Sequence, residues 1–137
     1  MDYLLEDFLG LGNTKPIKEC FRYSLVDNKF EKFGIFKFLN HQYDYEFKPF
    51  KNLNTKNKEV FAIDNSDFYS DYFSGDIISI FHTHTTDSSE LSSIDVEISE
   101  SLGLPSYVIS SVSKSQNIYY PKSYKPRGLY GRVFIPF

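Results

Sequence analysis

The chain has few of the residues that mark secreted or membrane proteins. Among its 137 residues there is one cysteine, Cys20, so an intramolecular disulfide is excluded and synthesis in a reducing compartment is expected. No segment approaches the ~18 consecutive apolar residues of a membrane span. No cationic stretch followed by an apolar run marks a signal peptide. The sequence therefore predicts a protein with no membrane span and no Sec export.

Positive and negative side chains are present in nearly equal numbers. The net charge is only -3 and no basic run occurs, which argues against a nucleic-acid partner, because nucleic-acid binding needs clustered lysine and arginine. Aromatic residues are plentiful instead, with 14 Phe and 11 Tyr, so we expect a core of rings and β-branched side chains. The length suits one domain rather than two.

Two histidines follow an apolar run that has the composition of a buried strand, residues 77–81. Because strand side chains alternate between faces, His82 and His84 are expected on one face. After a polar loop, Ser92 begins a predicted helix that places Asp95 in its first turn. Two imidazoles and a carboxylate are a ligand set of catalytic zinc, which leaves a fourth position for water. The alternative is a solvated histidine pair beside a Ser92/Asp95 capping box.

The full pattern is His-x-His, seven residues, Ser, two residues, Asp. In this form it resembles the signature of the JAMM/MPN zinc metallopeptidases. The resemblance implies that His82, His84 and Asp95 hold one Zn²⁺ ion and that the Ser92 hydroxyl stabilises the tetrahedral intermediate. It also implies an upstream glutamate as general acid/base, and hydrolysis of a peptide or isopeptide bond.

The catalytic glutamate needs a separate argument. Residues 19–26 read as the first strand, which pairs as a hairpin with a second strand near residues 32–39. The JAMM family places its glutamate at the start of the first strand, beside a proline and a cysteine, and this makes Glu19 the candidate. Glu31 and Glu46 are the alternatives.

The remaining pattern predicts an α/β (α+β) fold, a mixed central sheet flanked by helices, with the deaminase-like architecture that the JAMM resemblance implies. Residues 1–120 form the domain and residues 121–137 an extended tail. His41 is expected at the surface rather than at the metal. The other expected elements are helices over 2–11, 67–73 and 92–102, the last with Ile94, Ile98 and Leu102 on its apolar stripe, and strands over 44–53, 60–63, 107–112 and, at the edge, 117–120.

A narrower resemblance follows from the order of several segments: Asn52-Leu53, residues 61–67, the Ser92 to Asp95 corner, Gly103-Leu104-Pro105, and residues 129–134. This order is similar to the JAMM half of the tail assembly protein K family of lambda-like phages, in which an NlpC-type cysteine peptidase domain follows. The resemblance implies phage tail-tip proteins as partners, and a separately encoded NlpC-type peptidase as a further one. The expected location is the host cytoplasm during assembly, or the virion tail tip.

Two functions are compatible with these patterns. In the first, the protein is a phage zinc peptidase or isopeptidase that cuts a tail protein or a peptidoglycan cross-link. In the second, it is a component of the tail tip that keeps zinc without turnover. A structural site usually closes with a fourth protein ligand and needs neither a serine nor a general base, so Ser92 and the candidate Glu19 favour the enzyme.

Overall fold

The computed structural model describes residues 15–26, 29–39, 45–53 and 65–124. The helix expected over residues 2–11, the strand expected over 60–63, His41 and most of the expected tail lie outside these ranges. Within them, no helix is long and apolar enough to cross a membrane.

The chain forms a five-stranded mixed sheet with three flanking helices in its described part, which confirms the expected fold class. The sheet order is β2-β1-β3-β4-β5; β3 and β4 run parallel, and the other neighbours are antiparallel. The helices are α1 (Lys15–Leu25), α2 (Asn65–Ser74) and α3 (Ser93–Leu102), and the strands are β1 (Phe33–Phe38), β2 (Tyr45–Phe50), β3 (Ile77–His84), β4 (Ser106–Ser110) and β5 (Gln116–Tyr119).

The strand expected over residues 19–26 is wrong, because this segment belongs to α1. Its buried apolar side chains, Ile17, Cys20 and Phe21, recur at spacings of three and four, which is the period of a helix face and not of a strand. The expected hairpin is therefore also wrong. β1 pairs with β2 on one side and with β3 on the other.

The two faces of the sheet are covered by different helices. We call the first the α1 face, where Phe36, Phe81 and Tyr107 pack with the buried side chains of α1. On the other, the α2/α3 face, Phe33, Ile80 and their neighbours pack against both remaining helices. Side chains on this second face include Phe68 and Tyr72 from α2 and Ile98 and Leu102 from α3.

Helix α3 begins and ends at the residues that the sequence predicts. Ser92 is its N-cap, and Gly103 ends it in the left-handed conformation, with φ 68°, which glycine adopts without steric cost. The predicted apolar stripe is only partly confirmed. Ile98 and Leu102 pack on the α2/α3 face, whereas Ile94 is 65% exposed.

The strands after α3 are close to those expected. β4 is buried along its whole length, and β5 forms an edge of the sheet. The chain then turns back, because the backbone N–H of Lys122 donates to both carboxylate oxygens of Glu100 on α3, at 2.8 and 3.0 Å. Pro121 is buried, and the rings of Tyr120 and Tyr124 are in contact. The first residues of the expected tail thus contact α3.

Candidate metal centre

The two histidines lie at the C-terminal end of β3. Their side chains point to the α2/α3 face, because His82 lies opposite Phe33 in the antiparallel register and Phe33 packs on that face. Thr83, between them, points the other way, and its Oγ1 accepts a hydrogen bond of 2.8 Å from the backbone N–H of Lys32. The expected alternation is therefore confirmed.

Asp95 reaches the histidines because of the way α3 begins. The backbone N–H of Ser92 donates to Asp95 Oδ2 at 3.0 Å, and the N–H of Asp95 donates to Ser92 Oγ at 3.2 Å. These reciprocal bonds are a capping box, which satisfies two backbone donors of the first turn. The same bonds orient the Asp95 carboxylate toward the end of β3. The capping interpretation and the ligand interpretation are thus compatible.

Three potential ligand atoms form a nearly equilateral triangle. The Nε2 atoms of His82 and His84 are 3.2 Å apart, and Asp95 Oδ2 lies 3.2 Å from the first and 3.0 Å from the second. A tetrahedral ion with bonds of about 2.0–2.1 Å separates its ligand atoms by roughly 3.3–3.4 Å. The observed spacing is within a few tenths of an ångström of that value. This group, largely buried, can therefore hold a metal ion.

The three side chains also perturb each other's protonation. Burial acts to raise the pKa of Asp95, but hydrogen bonds with His82 and His84 outweigh it and hold the pKa well below its usual range. The pKa of His84 is raised, chiefly by its hydrogen bond with Asp95, against the opposing effect of burial. Without a metal the cluster therefore favours a carboxylate beside a protonated imidazole. A metal ion must displace that proton in order to bind.

His84 is also oriented from its other ring nitrogen. Nδ1 lies 3.1 Å from the carbonyl oxygen of Ser88, in the loop that joins β3 to α3. A carbonyl can only accept, so Nδ1 carries the hydrogen and donates. In the neutral ring this leaves a lone pair on Nε2, the atom that faces Asp95.

Besides Asp95, the fold brings Glu31 close to the histidines. Glu31 precedes β1, and the β1–β3 ladder continues past Phe33 through a hydrogen bond of 2.9 Å from Thr83 N–H to the Lys32 carbonyl. In an antiparallel ladder residue 31 then lies across from His84, on the same face. Glu31 is buried, and its charge helps to raise the pKa of His84. Asn52 Nδ2 donates to the Glu31 carbonyl at 2.7 Å.

The other two glutamates lie elsewhere. Glu19 is exposed on α1, which covers the opposite face of the sheet, so its expected position at the start of a strand beside the metal is wrong. Glu46 pairs with Lys37 on β1, and Lys37 in turn pairs with Ile77, at the far end of β3 from the histidines. Of the three candidates, the structure places only Glu31 beside the ligand group.

Ser92, the expected oxyanion donor, is exposed at the start of α3, directly beside the ligand group. Its Oγ accepts from the Asp95 N–H, so the hydroxyl hydrogen can be donated to another atom. Along the sequence around the site, Asp87, Glu90 and Glu97 are exposed, and no lysine or arginine occurs between residues 59 and 113.

Comparisons with known proteins show the fold alone. No family model and no curated protein matches the chain. Among solved structures it is similar to the solution structure of protein DSY2949 from Desulfitobacterium hafniense, with a TM-score of 0.55 and 16% identity, over 77% of this chain and 78% of that one. At such low identity the likeness supports a shared α/β architecture and carries no function.

Proposed function

We propose that the protein is a zinc-dependent amide hydrolase, a JAMM-type metallopeptidase or isopeptidase. The observation that carries the proposal is the triangle of His82, His84 and Asp95 ligand atoms. Buried Glu31, which the continued ladder places across from His84, adds a candidate base. Within the described ranges the group contains three ligands and no fourth. Catalytic zinc sites have three protein ligands, whereas structural sites close with four.

A zinc ion held by these atoms would supply Lewis-acid chemistry, lowering the pKa of water toward ~7 and polarising the scissile carbonyl. The proton of the attacking water would go to the carboxylate of Glu31, which then delivers it to the leaving amine. Burial on the histidine face suits Glu31 for this role, because a carboxylate shielded from bulk water exchanges protons mainly with the reacting groups. We therefore assign Glu31, and not Glu19, as general base.

Ser92 is assigned to the carbonyl oxygen of the substrate. Its hydroxyl is fixed in place by accepting the Asp95 N–H, and its hydrogen can be donated to the oxyanion that develops during attack. A donor held by the backbone of a helix cap does not need to reorganise as the negative charge develops, which is the condition for effective transition-state stabilisation.

The first test is metal content. Protein purified without chelator is expected to contain one zinc per chain by mass spectrometry, and a His82→Ala/His84→Ala variant to contain none. A wild-type protein that takes up no zinc, or a double variant with stoichiometric zinc, would overturn the proposal. The matched control is Thr83→Val, which changes the intervening residue on the other face of the strand.

The second test separates the two glutamates. Glu31→Gln is expected to keep zinc and lose at least ~10²-fold in kcat, because removing a general base typically costs 10²–10⁴-fold. Glu19→Gln, the matched control, should behave as wild type. Candidate substrates are phage tail proteins and peptidoglycan peptides. If the protein binds zinc but cleaves none of these substrates, the alternative function is favoured, a zinc-containing structural component of a phage tail tip.

The proposed biological setting is a tailed phage, with tail-tip proteins and a separate NlpC-type peptidase as partners. The segment order that resembles tail assembly protein K supports this setting. Replacing the gene by the Glu31→Gln form should reduce the yield of infectious phage. Normal infectivity with normally processed tail proteins would contradict an enzymatic role in infection.

A further inference from the structure

The loop between the histidines and Asp95, residues 85–92, has no regular secondary structure. It must nevertheless hold the Ser88 carbonyl at the Nδ1 atom of His84. Short polar loops of this kind are mobile unless other groups fix their backbone. Side chains that fix the loop backbone lie at the end of β4, the strand that runs parallel to β3.

Three serines, one at the end of β4 and two just after it, donate to carbonyls of three residues in the segment that follows His82. Ser111 donates to the His84 carbonyl twice, from its N–H at 3.0 Å and from its hydroxyl at 3.1 Å. The Ser110 hydroxyl donates to the Thr86 carbonyl at 2.5 Å, and the Ser113 hydroxyl donates to the Asp87 carbonyl at 2.7 Å. The carbonyl of Ser88, next along the chain, is the one that orients His84.

Ser110 has the central position among these residues. It is completely buried, and in the parallel register it lies directly beside His84. Its Oγ also accepts from the N–H groups of Val112 and Ser113, at 3.2 and 3.0 Å. One hydroxyl thus fixes its own turn and the neighbouring loop together, because it is a donor and an acceptor at once. Alanine can do neither.

We propose that Ser110 is a positioning residue for the metal centre, which acts through the loop on the ring orientation of His84. The proposal rests on the proposed zinc site. Hydrogen-bond partners of metal ligands fix the tautomer and the orientation of the ring, and their loss typically weakens metal affinity 10–100-fold. Ser110 is one hydrogen-bonded step farther out, through Thr86 and Ser88, so we expect the lower part of that range.

The same strand offers a matched control. Ser106, at the other end of β4, is equally buried, but its hydroxyl has no hydrogen-bond partner among the described residues. Ser106→Ala and Ser110→Ala therefore remove the same atom from the same buried strand. Only the second removes hydrogen bonds to the loop. Ser110→Thr keeps the hydroxyl, and its β-branched side chain suits a strand.

The test measures the zinc dissociation constant by competition with a chromophoric chelator, and the absorption spectrum of the Co²⁺-substituted protein. Ser110→Ala is expected to raise the dissociation constant about 10-fold and to alter the cobalt bands, consistent with a misplaced ligand. Ser106→Ala should match wild type in both, and Ser110→Thr should restore both. A purely stabilising serine would change the melting temperature and leave the dissociation constant and spectrum unaltered.

Wild-type affinity and an unaltered cobalt spectrum in Ser110→Ala would overturn the positioning role and leave the zinc site intact. Failure of the wild type to bind zinc would overturn both. If Ser110→Ala does not fold, Ser113→Ala replaces it. Ser113 is exposed, so this variant loses the hydroxyl's bonds with Asp87 and Ser115 without opening a cavity. A weaker zinc affinity in Ser113→Ala supports positioning of His84 through the loop, and an unchanged affinity overturns it.

Discussion

The two faces of β3 have opposite characters at the same height in the sheet. Toward α1, Phe81 is completely buried among rings, with Phe47 and Tyr107 at centroid distances of 5.6 and 6.0 Å. Toward α2 and α3, one residue further on, His82 is just as inaccessible but faces His84 and Asp95. Near the end of β3, the α1 face is therefore aromatic, whereas the α2/α3 face carries the candidate ligands.

The comparison shows how a strand can keep reactive groups in place. Polar side chains cost free energy when buried, unless hydrogen bonds or a metal compensate. Here they occupy one face of a strand whose other face is fixed by aromatic packing, and the ligand atoms lie 3.0–3.2 Å from one another. The predictions below alter one face and measure whether the other responds.

The largest expected effect comes from the α1 face of β3. Phe81→Ala should lower the free energy of unfolding by about 3–5 kcal/mol, because it removes a buried ring and leaves a cavity. Urea denaturation with chelator present measures this without any contribution from metal. Phe73→Ala is the matched control, because Phe73 is 79% exposed. A loss of similar size in both variants would contradict the assignment of the core.

A smaller effect is expected at Gly34, opposite Phe81 on β1. A Cβ there would lie 2.7 Å from the Phe47 ring and 2.9 Å from the Lys48 carbonyl oxygen. Gly34→Ala should therefore destabilise the protein by about 1–3 kcal/mol through overpacking. The zinc affinity of the folded fraction should not change, because the strain lies on the α1 face. Unchanged stability in thermal melts would show that the ring moves aside freely.

At the candidate metal site, Ser92→Ala should lower the free energy of unfolding by about 1 kcal/mol, the usual loss when an N-cap hydroxyl is removed. If Ser92 also stabilises the oxyanion, kcat should fall by more than this loss of stability explains, with zinc content unchanged. Ser92→Thr keeps a hydroxyl and should recover both properties. A variant with lowered stability and wild-type kcat would restrict Ser92 to capping.

The smallest expected effect is on the pH dependence of stability, whose slope should change sign when zinc is bound. The folded-state pKa of His84 is raised, so in chelator its contribution to stability is present below pH ~6.5 and is lost as the pH rises through the raised value. With zinc present, deprotonated ligands bind better and stability should instead increase over the same range. Melts from pH 6 to 8 measure both slopes. Asp95→Asn should flatten the slope in chelator, and an unaltered slope would contradict the pairing.

Local patterns in the sequence determined much of the site. The alternation of His82 and His84, the capping box at Ser92 and Asp95, and the fully buried β4 follow from strand and helix periods over a few residues. The helical spacing of Ile17, Cys20 and Phe21 is an equally local signal, and it indicates a helix although the composition of residues 19–26 favours a strand. Cys20 is completely buried on this helix, and burial raises the pKa of its thiol well above the usual value.

Only the tertiary structure decided which glutamate joins the histidines. Glu31 and His84 are far apart in the chain, and their proximity depends on the antiparallel register of β1 with β3. No local period encodes that register, because a shift of one residue would turn Glu31 to the other face. Likewise, the sequence shows Ser110, Ser111 and Ser113 only as polar residues after a strand. Their contacts with the loop exist because β4 lies parallel to β3 and ends at the same edge of the sheet.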